Sequence, residues 1–248
     1  MNYNPYNLIN KTIFITGASS GIGKAIAFEC SKMGAKLLIT GRDKERLADT
    51  YSHLEGSGHL MFAADLSVEN ELKNLAERLP VIDGFINSAG IYRLIPFQFI
   101  NREEIKKIFE INFTAPVTLC QGLVKLKKIK EGSSIVFISS IAGNMISAIG
   151  ASVYSASKGA INGMIKGMAL DLANYKIRVN SIIPGMIETN LTSEKLTAEQ
   201  IQNDIKRYPL KRYGKPEEVA YAAIFLLSDA SKWITGTNLL IDGGFTLL

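Results

Sequence analysis

The chain alternates short apolar runs with longer stretches in which apolar residues recur every three or four positions. Seven runs read as strands: residues 12–17, 36–41, 59–65, 83–90, 133–140, 177–185 and 238–244. Several, such as "TIFITG" and "SSIVFISS", are apolar on consecutive rather than alternate positions. That pattern predicts strands covered on both faces, as in a parallel sheet flanked by helices. Between them, Ile22, Ile26, Cys30 and Met33 fall on one helical face, and the run stops at Gly34. Asp43 is placed to cap a helix running to about Leu54. Asn101 with Glu104, and Thr197 with Gln200, have the spacing of capping boxes. A further helix, "PEEVAYAAIFLLSD", carries Pro216 in its first turn. The β-α-β-α order predicts an α/β fold, a doubly wound parallel sheet with right-handed crossovers. No linker or repeat interrupts it, so residues 1–248 are expected to form one domain. The least regular stretch, 186–213, is a candidate substrate lid, with an ordinary surface excursion as the alternative.

Composition narrows the picture. With 248 residues, 47% of them hydrophobic and 21% charged, the chain can bury a full core without disulfides or metals. Cys30 and Cys120 lie far apart in helical contexts, which fits core packing in a reducing compartment. His53 and His59 flank an "LEGSG" loop without any cysteine cluster, so both are expected at the surface and no metal site is expected. The formal net charge of +5 is too diffuse for nucleic acid. The densest basic stretch, Lys125, Lys127, Lys128 and Lys130, reads as a solvated helix end, with a landing site for an acidic partner as the alternative. The opening "MNYNPYNLINK" lacks the charge-then-apolar pattern of a signal peptide, so a cytoplasmic location is expected. From Gly132 to Ser157 there is no charge at all. The run is long enough to span a bilayer, but its Ser, Gly and Asn content reads instead as a buried strand followed by an uncharged pocket wall.

The chemistry begins at "TGASSGIG", Thr16 to Gly23, between the first strand and the first helix. Glycines there permit a tight turn and a close backbone approach, and the free N–H groups of the helix start favour an anion. Further on come "NSAG", the serine of "ISSIAG", "YSASK" and "PG", in that order. Together these motifs resemble the short-chain dehydrogenase/reductase family across nearly the whole chain. The resemblance implies a seven-stranded Rossmann-like sheet, a nicotinamide dinucleotide, and hydride transfer to or from a carbonyl. It implies that Gly17, Ser19, Ser20, Gly21, Ile22 and Gly23 face the cofactor. It further implies that Asp65 and Leu66 lie at the adenine, that Asn87, Ala89 and Gly90 support the adjacent ribose, and that Pro184, Gly185, Ile187 and Thr189 lie beside the nicotinamide.

The second strand ends "LLITGRD". An acid at this point would bind a ribose 2′-hydroxyl, but here Gly41 is followed by Arg42, whose guanidinium suits a 2′-phosphate. NADP(H) is therefore favoured over NAD(H). Ser20 stands where many NADP(H)-using relatives carry a basic residue, and a solvated charge is the alternative reading of Arg42.

Tyr154 and Lys158 are four residues apart, so on a helix they share a face. A cation roughly 4 Å from a phenol, at an effective dielectric near 20, favours phenolate by about 4 kcal/mol, before the opposing cost of desolvation. The expectation is a phenol made acidic enough to exchange protons near the operating pH. In the reduction direction Tyr154 would protonate the carbonyl oxygen, and the resemblance implies that Lys158 also binds the nicotinamide ribose. Ser140 matches the family's active-site serine, with Ser139 as its rival on the opposite side of the strand. Asn112, in "EINFTAP", resembles the helix asparagine that holds a water linked to the lysine; a buried amide satisfied by backbone is the alternative.

The substrate readings are three. The chain is similar to 3-oxoacyl-(acyl-carrier-protein) reductases, which makes a 3-oxoacyl thioester the lead substrate and an acyl carrier protein a candidate partner for the basic stretch. Against this, Leu170 stands where such reductases often have arginine. An alcohol, sugar or steroid dehydrogenase is the enzymatic alternative, and a non-catalytic nucleotide-binding protein is the third. The resemblance also implies a homodimer or homotetramer formed through helices around 101–129 and 150–175.

Overall fold

The structure, a computed structural model, describes residues 4–189 and 197–247. Seven parallel strands form one sheet in the order β3-β2-β1-β4-β5-β6-β7. They are β1 (Thr12–Thr16), β2 (Lys36–Gly41), β3 (Leu60–Ala63), β4 (Ile82–Asn87), β5 (Ile129–Ile138), β6 (Arg178–Pro184) and β7 (Asn238–Ile241). Each overlaps one of the apolar runs. Alternation of side chains divides the core. Ile13 and Ile15 point to one face, packed with Ala25, Ile26, Val219 and Ala223 from α1 (Gly21–Lys32) and α8 (Pro216–Leu227). Phe14 points to the other, with Phe85, Phe137, Leu75, Leu119 and Ile161. That layer joins the sheet to α3 (Glu69–Arg78), α5 (Ala115–Lys125) and α6 (Ser152–Asp171). The rings of Phe14 and Phe85 stack at 5.5 Å across the β1–β4 pair.

That β1–β4 pair is where the strand order reverses, so the loops leaving β1 and β4 diverge and open a crevice at the strands' carboxyl ends. The caps behave as their spacing predicts. Asp43 accepts from the Arg46 N–H at the start of α2 (Lys44–Ser52), Asn101 accepts from Glu104 N–H at the start of α4 (Arg102–Phe109), and Thr197 with Gln200 closes a full capping box on α7 (Ala198–Ile205).

Four local features differ from expectation. β5 begins at Ile129 rather than near 133, because Ile129 pairs with Ile82 beyond a register shift. Gly132, at φ +81, provides the irregularity between the polar first part of the strand and its buried end. His59 is buried, not exposed: Nδ1 accepts the Leu37 N–H at 3.0 Å, which leaves Nε2 to donate to the Glu55 carbonyl at 2.9 Å. Ser67, ahead of α3, does not cap that helix, which has Val68 at its N-cap; it turns back and donates to Asp65 Oδ1 at 2.7 Å. Between α4 and α5, residues Glu110–Thr114 form a single π-helical turn in an otherwise continuous helix.

Both cysteines are free and buried, and burial pushes their thiols up. Among the described residues no group of three acidic, His or Cys side chains is placed to hold a metal ion, and no helix is long and apolar enough to cross a membrane. The uncharged run 132–157 folds as the inner part of β5, a loop, and the start of α6. The basic stretch Lys125–Lys130 lies where α5 ends and β5 begins, the amino-terminal rim of the sheet. The length of β5 separates it from the crevice by about 30 Å.

Candidate active site

The crevice is shaped first by its glycines. Gly17, at φ +68, ends β1, and a Cβ there would stand 2.7 Å from the Ala89 backbone nitrogen. A Cβ on Gly23 would overlap the Gly17 carbonyl. These positions let the β1–α1 turn press against the segment that follows β4. Thr16 ties the two together: its hydroxyl donates to Asn87 Oδ1 at 2.8 Å and accepts from the Ala89 N–H at 3.2 Å. α1 then starts at Gly21 with Ser20 as an extended N-cap that makes no side-chain capping bond, and no acid lies in its first turn. The helix start therefore keeps its positive character toward the crevice.

Gly17, Ser19 and Ser20 line one wall, Ser88, Ala89 and Gly90 another, and Asp65 and Leu66 a third. The far end holds Arg42, Asp43 and Arg46. The Arg42 side chain is 68% exposed, with its guanidinium 3.9 Å from Asp65 Oδ2. Asp43 is turned away from the crevice chemistry: it accepts the Arg46 N–H at 3.0 Å and Arg46 Nε at 2.7 Å, and these two bonds hold its carboxyl below the usual range. Arg46 is a crevice residue that the sequence analysis missed. The available signal was its place three residues after the Asp43 cap, in the first turn of the helix that starts beside Arg42.

At the other end lie the four candidate catalytic side chains. Ser140 follows β5 in extended geometry, and its Oγ accepts the Ala142 N–H at 3.2 Å. Its neighbour Ser139 is buried and donates to the Lys158 carbonyl at 3.1 Å, so Ser140, not Ser139, faces the phenol of Tyr154. Tyr154 and Lys158 stand one turn apart in α6. Lys158 is buried, with Nζ donating to the Ile138 carbonyl at 2.9 Å and lying beside Gly90. Asn112 sits in the π-helical turn, fully buried. Its Oδ1 accepts from Ile91 N–H at 2.7 Å, and its Nδ2 donates to the Ile91 carbonyl and to Ser157 Oγ, both at 3.0 Å. Both Nδ2 protons and one lone pair of Oδ1 are thus engaged by the protein.

One electrostatic expectation is corrected. Burial raises the Tyr154 phenol above its ordinary value; Ser140 offsets part of this and Tyr92 adds to it. Lys158 is not among the influences. Its own ionisation is lowered to about 8 by burial. The four-residue spacing does bring the two side chains to one face, but the ammonium follows its nearest backbone acceptor rather than the phenol. Tyr92, also missed in the sequence, meets the Tyr154 ring edge-on with centroids 4.8 Å apart.

Pro184 ends β6, and Gly185 donates its N–H to the Ile241 carbonyl at 2.8 Å. The stretch 186–213 leaves and returns at one point: Glu188 N–H bonds to the Gly214 carbonyl at 2.8 Å and Gly214 N–H to the Met186 carbonyl at 3.0 Å, with Ile187 bridging to Gly214. Thr189 reaches over the start of α1, its Cγ2 within 3.4 Å of where a Gly21 Cβ would stand. Part of the candidate lid, 190–196, lies outside the described residues.

A nicotinamide dinucleotide fits this donor set. The uncapped start of α1 and a turn too tight for side chains suit a pyrophosphate. The cation at one end and the phenol with its ammonium at the other suit the two terminal groups. Comparison with known proteins agrees. The model of the family described as Enoyl-(Acyl carrier protein) reductase matches residues 17–246. The 3-oxoacyl-(acyl-carrier-protein) reductase FabG of Rickettsia prowazekii (strain Madrid E) is 34% identical over 242 residues, covering 98% of this chain and 99% of that protein. Carbonyl reductase family member 4 of Xenopus laevis is 36% identical over 243 residues, covering 96% and 99%. A solved short chain dehydrogenase/reductase family protein superposes with a TM-score of 0.89 at 31% identity, covering 98% of this chain and 100% of that one. Sequence, fold and crevice coincide, and the chain belongs to the short-chain dehydrogenase/reductase family of NAD(P)-dependent oxidoreductases.

Proposed function

We propose that the protein is an NADP(H)-dependent carbonyl reductase that interconverts a ketone and a secondary alcohol, with 3-oxoacyl thioesters among the candidate ketones. The observation that carries the chemistry is the convergence of Ser140, Tyr154 and Lys158 at the crevice end below Gly90. The bound cofactor supplies or accepts the hydride. Ser140 orients the carbonyl oxygen, and Tyr154 holds the proton delivered to it. Lys158, released from the Ile138 carbonyl, supplies the positive charge that makes this transfer easier. Asn112 and Ser157 hold the Ile91 backbone and the Tyr154 turn in place, since Ser157 Oγ donates to the Tyr154 carbonyl at 2.7 Å. On this reading Gly185, Ile187 and Thr189 border the nicotinamide, and 186–213 is proposed as the substrate lid.

The preference for NADP(H) rests on Arg42, with Gly41 in place of an acid and Asp43 engaged by Arg46. A second reading, an NAD(H)-dependent alcohol dehydrogenase, is favoured by Ser20 in the glycine turn and by Asp65 beside Arg42, which offsets part of its charge. The Lys125–Lys130 stretch lends no support to docking an acyl carrier, because it lies on the opposite rim. The proposal includes a homodimer or homotetramer formed through α4, α5 and α6, checked by the mass in solution. The decisive assay compares initial rates with NADPH and NADH on acetoacetyl-coenzyme A, simple ketones and polyols. Ketone turnover with NADPH supports the proposal; turnover confined to polyols with NAD overturns it.

A further inference from the structure

The uncharged run 132–157 leaves a surface that the chemistry above does not use. After β5, every residue from Asn144 to Ile149 is exposed. Ile149 is 92% exposed, Met145 46% and Ile146 36%, and on the facing loop after β4 Leu94 is 50% exposed. The two loops are joined. Ile95 N–H donates to the Gly150 carbonyl at 2.8 Å, and Gly150, at φ +79, lies so close that a Cβ would stand 3.0 Å from the Ile95 nitrogen. Leu94 and Ile149 flank that contact on either side. The same loops are tied to the reacting phenol: Tyr92 packs on the Tyr154 ring, and Ser147 Oγ meets Ser155 Oγ at 3.0 Å, one residue past Tyr154.

We propose that Leu94, Met145, Ile146 and Ile149 form a binding rim for an unbranched apolar arm of the carbonyl substrate, so that the preferred substrates are ketones carrying an alkyl or acyl chain rather than polyols. This rests on the reading of Tyr154 as the proton donor. Three observations select that occupant. The rim is continuous with Tyr154, so whatever reacts there extends across it. From Gly132 to Ser157 there is no charged side chain, and on the facing loop Arg93, next to Leu94, is paired with Glu104 at 2.8 Å, so neither loop offers an unpaired cation to an anionic arm. Polar side chains within the rim are few and partly turned to one another: Ser147 Oγ meets Ser155 Oγ, and Asn144 Oδ1 accepts from Asn162 Nδ2 at 3.3 Å. A sugar would therefore have to forgo hydrogen bonds that it makes in water, whereas an alkyl arm covers surface that water hydrates poorly.

The test separates the rim from the reaction. Linear carboxamides of four to ten carbons, which present a carbonyl but accept no hydride, are titrated calorimetrically into the NADP-loaded full chain. In parallel, kcat/KM is measured with NADPH on 2-alkanones of the same lengths. Full burial of a methylene is worth about fourfold, so affinity is expected to rise by about two- to fourfold per carbon in the native protein. In Ile149→Ser and Leu94→Ser the slope is expected to flatten. In Trp233→Ser, a fully exposed site just before the amino-terminal end of β7, the slope is expected to stay. A flat slope in the native protein, absence of carboxamide binding, or an Ile149→Ser variant that changes the oligomer mass and leaves the slope intact overturns the rim. Length-dependent carboxamide binding without ketone turnover upholds the rim and sinks the proposed reaction. Turnover of short ketones without length dependence does the reverse.

Discussion

Lys158 carries a stability cost that can be measured without any substrate. Its ionisation lies at about 8 in the fold, against 10.5 for an unconstrained lysine, and burial is the cause. Each pKa unit is worth about 1.4 kcal/mol, so holding the protonated ammonium inside costs about 3 kcal/mol at pH 7. The folded value is the lower one, so as pH falls the unfolded chain takes the proton first. The penalty is absent above about pH 10.5, grows as pH falls toward 8, and is complete below that. At pH 9.5 about 1 kcal/mol remains, which leaves about 2 kcal/mol between pH 7 and pH 9.5. Lys158→Met keeps the length of the side chain and removes the charge. It also removes the bond to the Ile138 carbonyl, but that loss is the same at both pH values and cancels in the comparison. The expected result is that the variant gains about 2 kcal/mol more over the native protein at pH 7 than at pH 9.5. Urea unfolding of both proteins at both pH values reads this directly. An identical difference at the two pH values would show that the ammonium is neither buried nor depressed in its ionisation.

The remaining expectations concern the other site residues. Tyr154→Phe should lower kcat by about 10²–10⁴-fold, the usual worth of a positioned acid, while NADPH affinity by fluorescence titration changes little; retained turnover would remove Tyr154 as the donor. Arg42→Ala should weaken NADPH by roughly tenfold, the worth of one exposed charge-assisted contact, and leave NADH nearly unchanged. Adding salt to the native enzyme should mimic that loss, and equal losses for both cofactors would point to NAD(H). Ser157→Ala strands one donor of the buried Asn112 amide and should cost about 1–3 kcal/mol in thermal or urea unfolding. A neutral result would mean that the amide finds another partner.

Much of this was legible in the residues, and the failures have a common cause. Apolar runs located all seven strands because burial on both faces imposes an unbroken pattern. Asp43, Asn101 and Thr197 capped their helices because a capping bond reaches only three residues. The glycine turn, Ser140, Tyr154 and Lys158 could be read as motifs, and the structure brings them to one crevice. The misses all depend on long-range partners. His59 follows Gly56, Ser57 and Gly58, a polar context, yet it is buried, where its ring accepts the N–H of the buried Leu37 near the start of β2. Where the Lys158 ammonium points is decided by the Ile138 carbonyl, twenty residues away in the chain. Arg46 looked like one charge among several on an exposed helix, and Tyr92 like a loop aromatic. Only the assembled crevice gives either a place.

The π-helical turn at Glu110–Thr114 has a consequence for how this chain tolerates changes of length. A turn of this kind holds one residue more than a regular helix needs, and Asn112 occupies it. Deleting a single codon between Glu110 and Thr114 would heal the helix, and by local hydrogen bonding alone the product would look improved. The flanking helices would stay nearly in phase, because the wide turn absorbs its extra residue within one revolution, but the Asn112 amide would be lost or moved from Ile91 and Ser157. A loss that improves the helix would thus remove a brace from the crevice, since the wide turn is what carries the Asn112 amide to the Ile91 backbone.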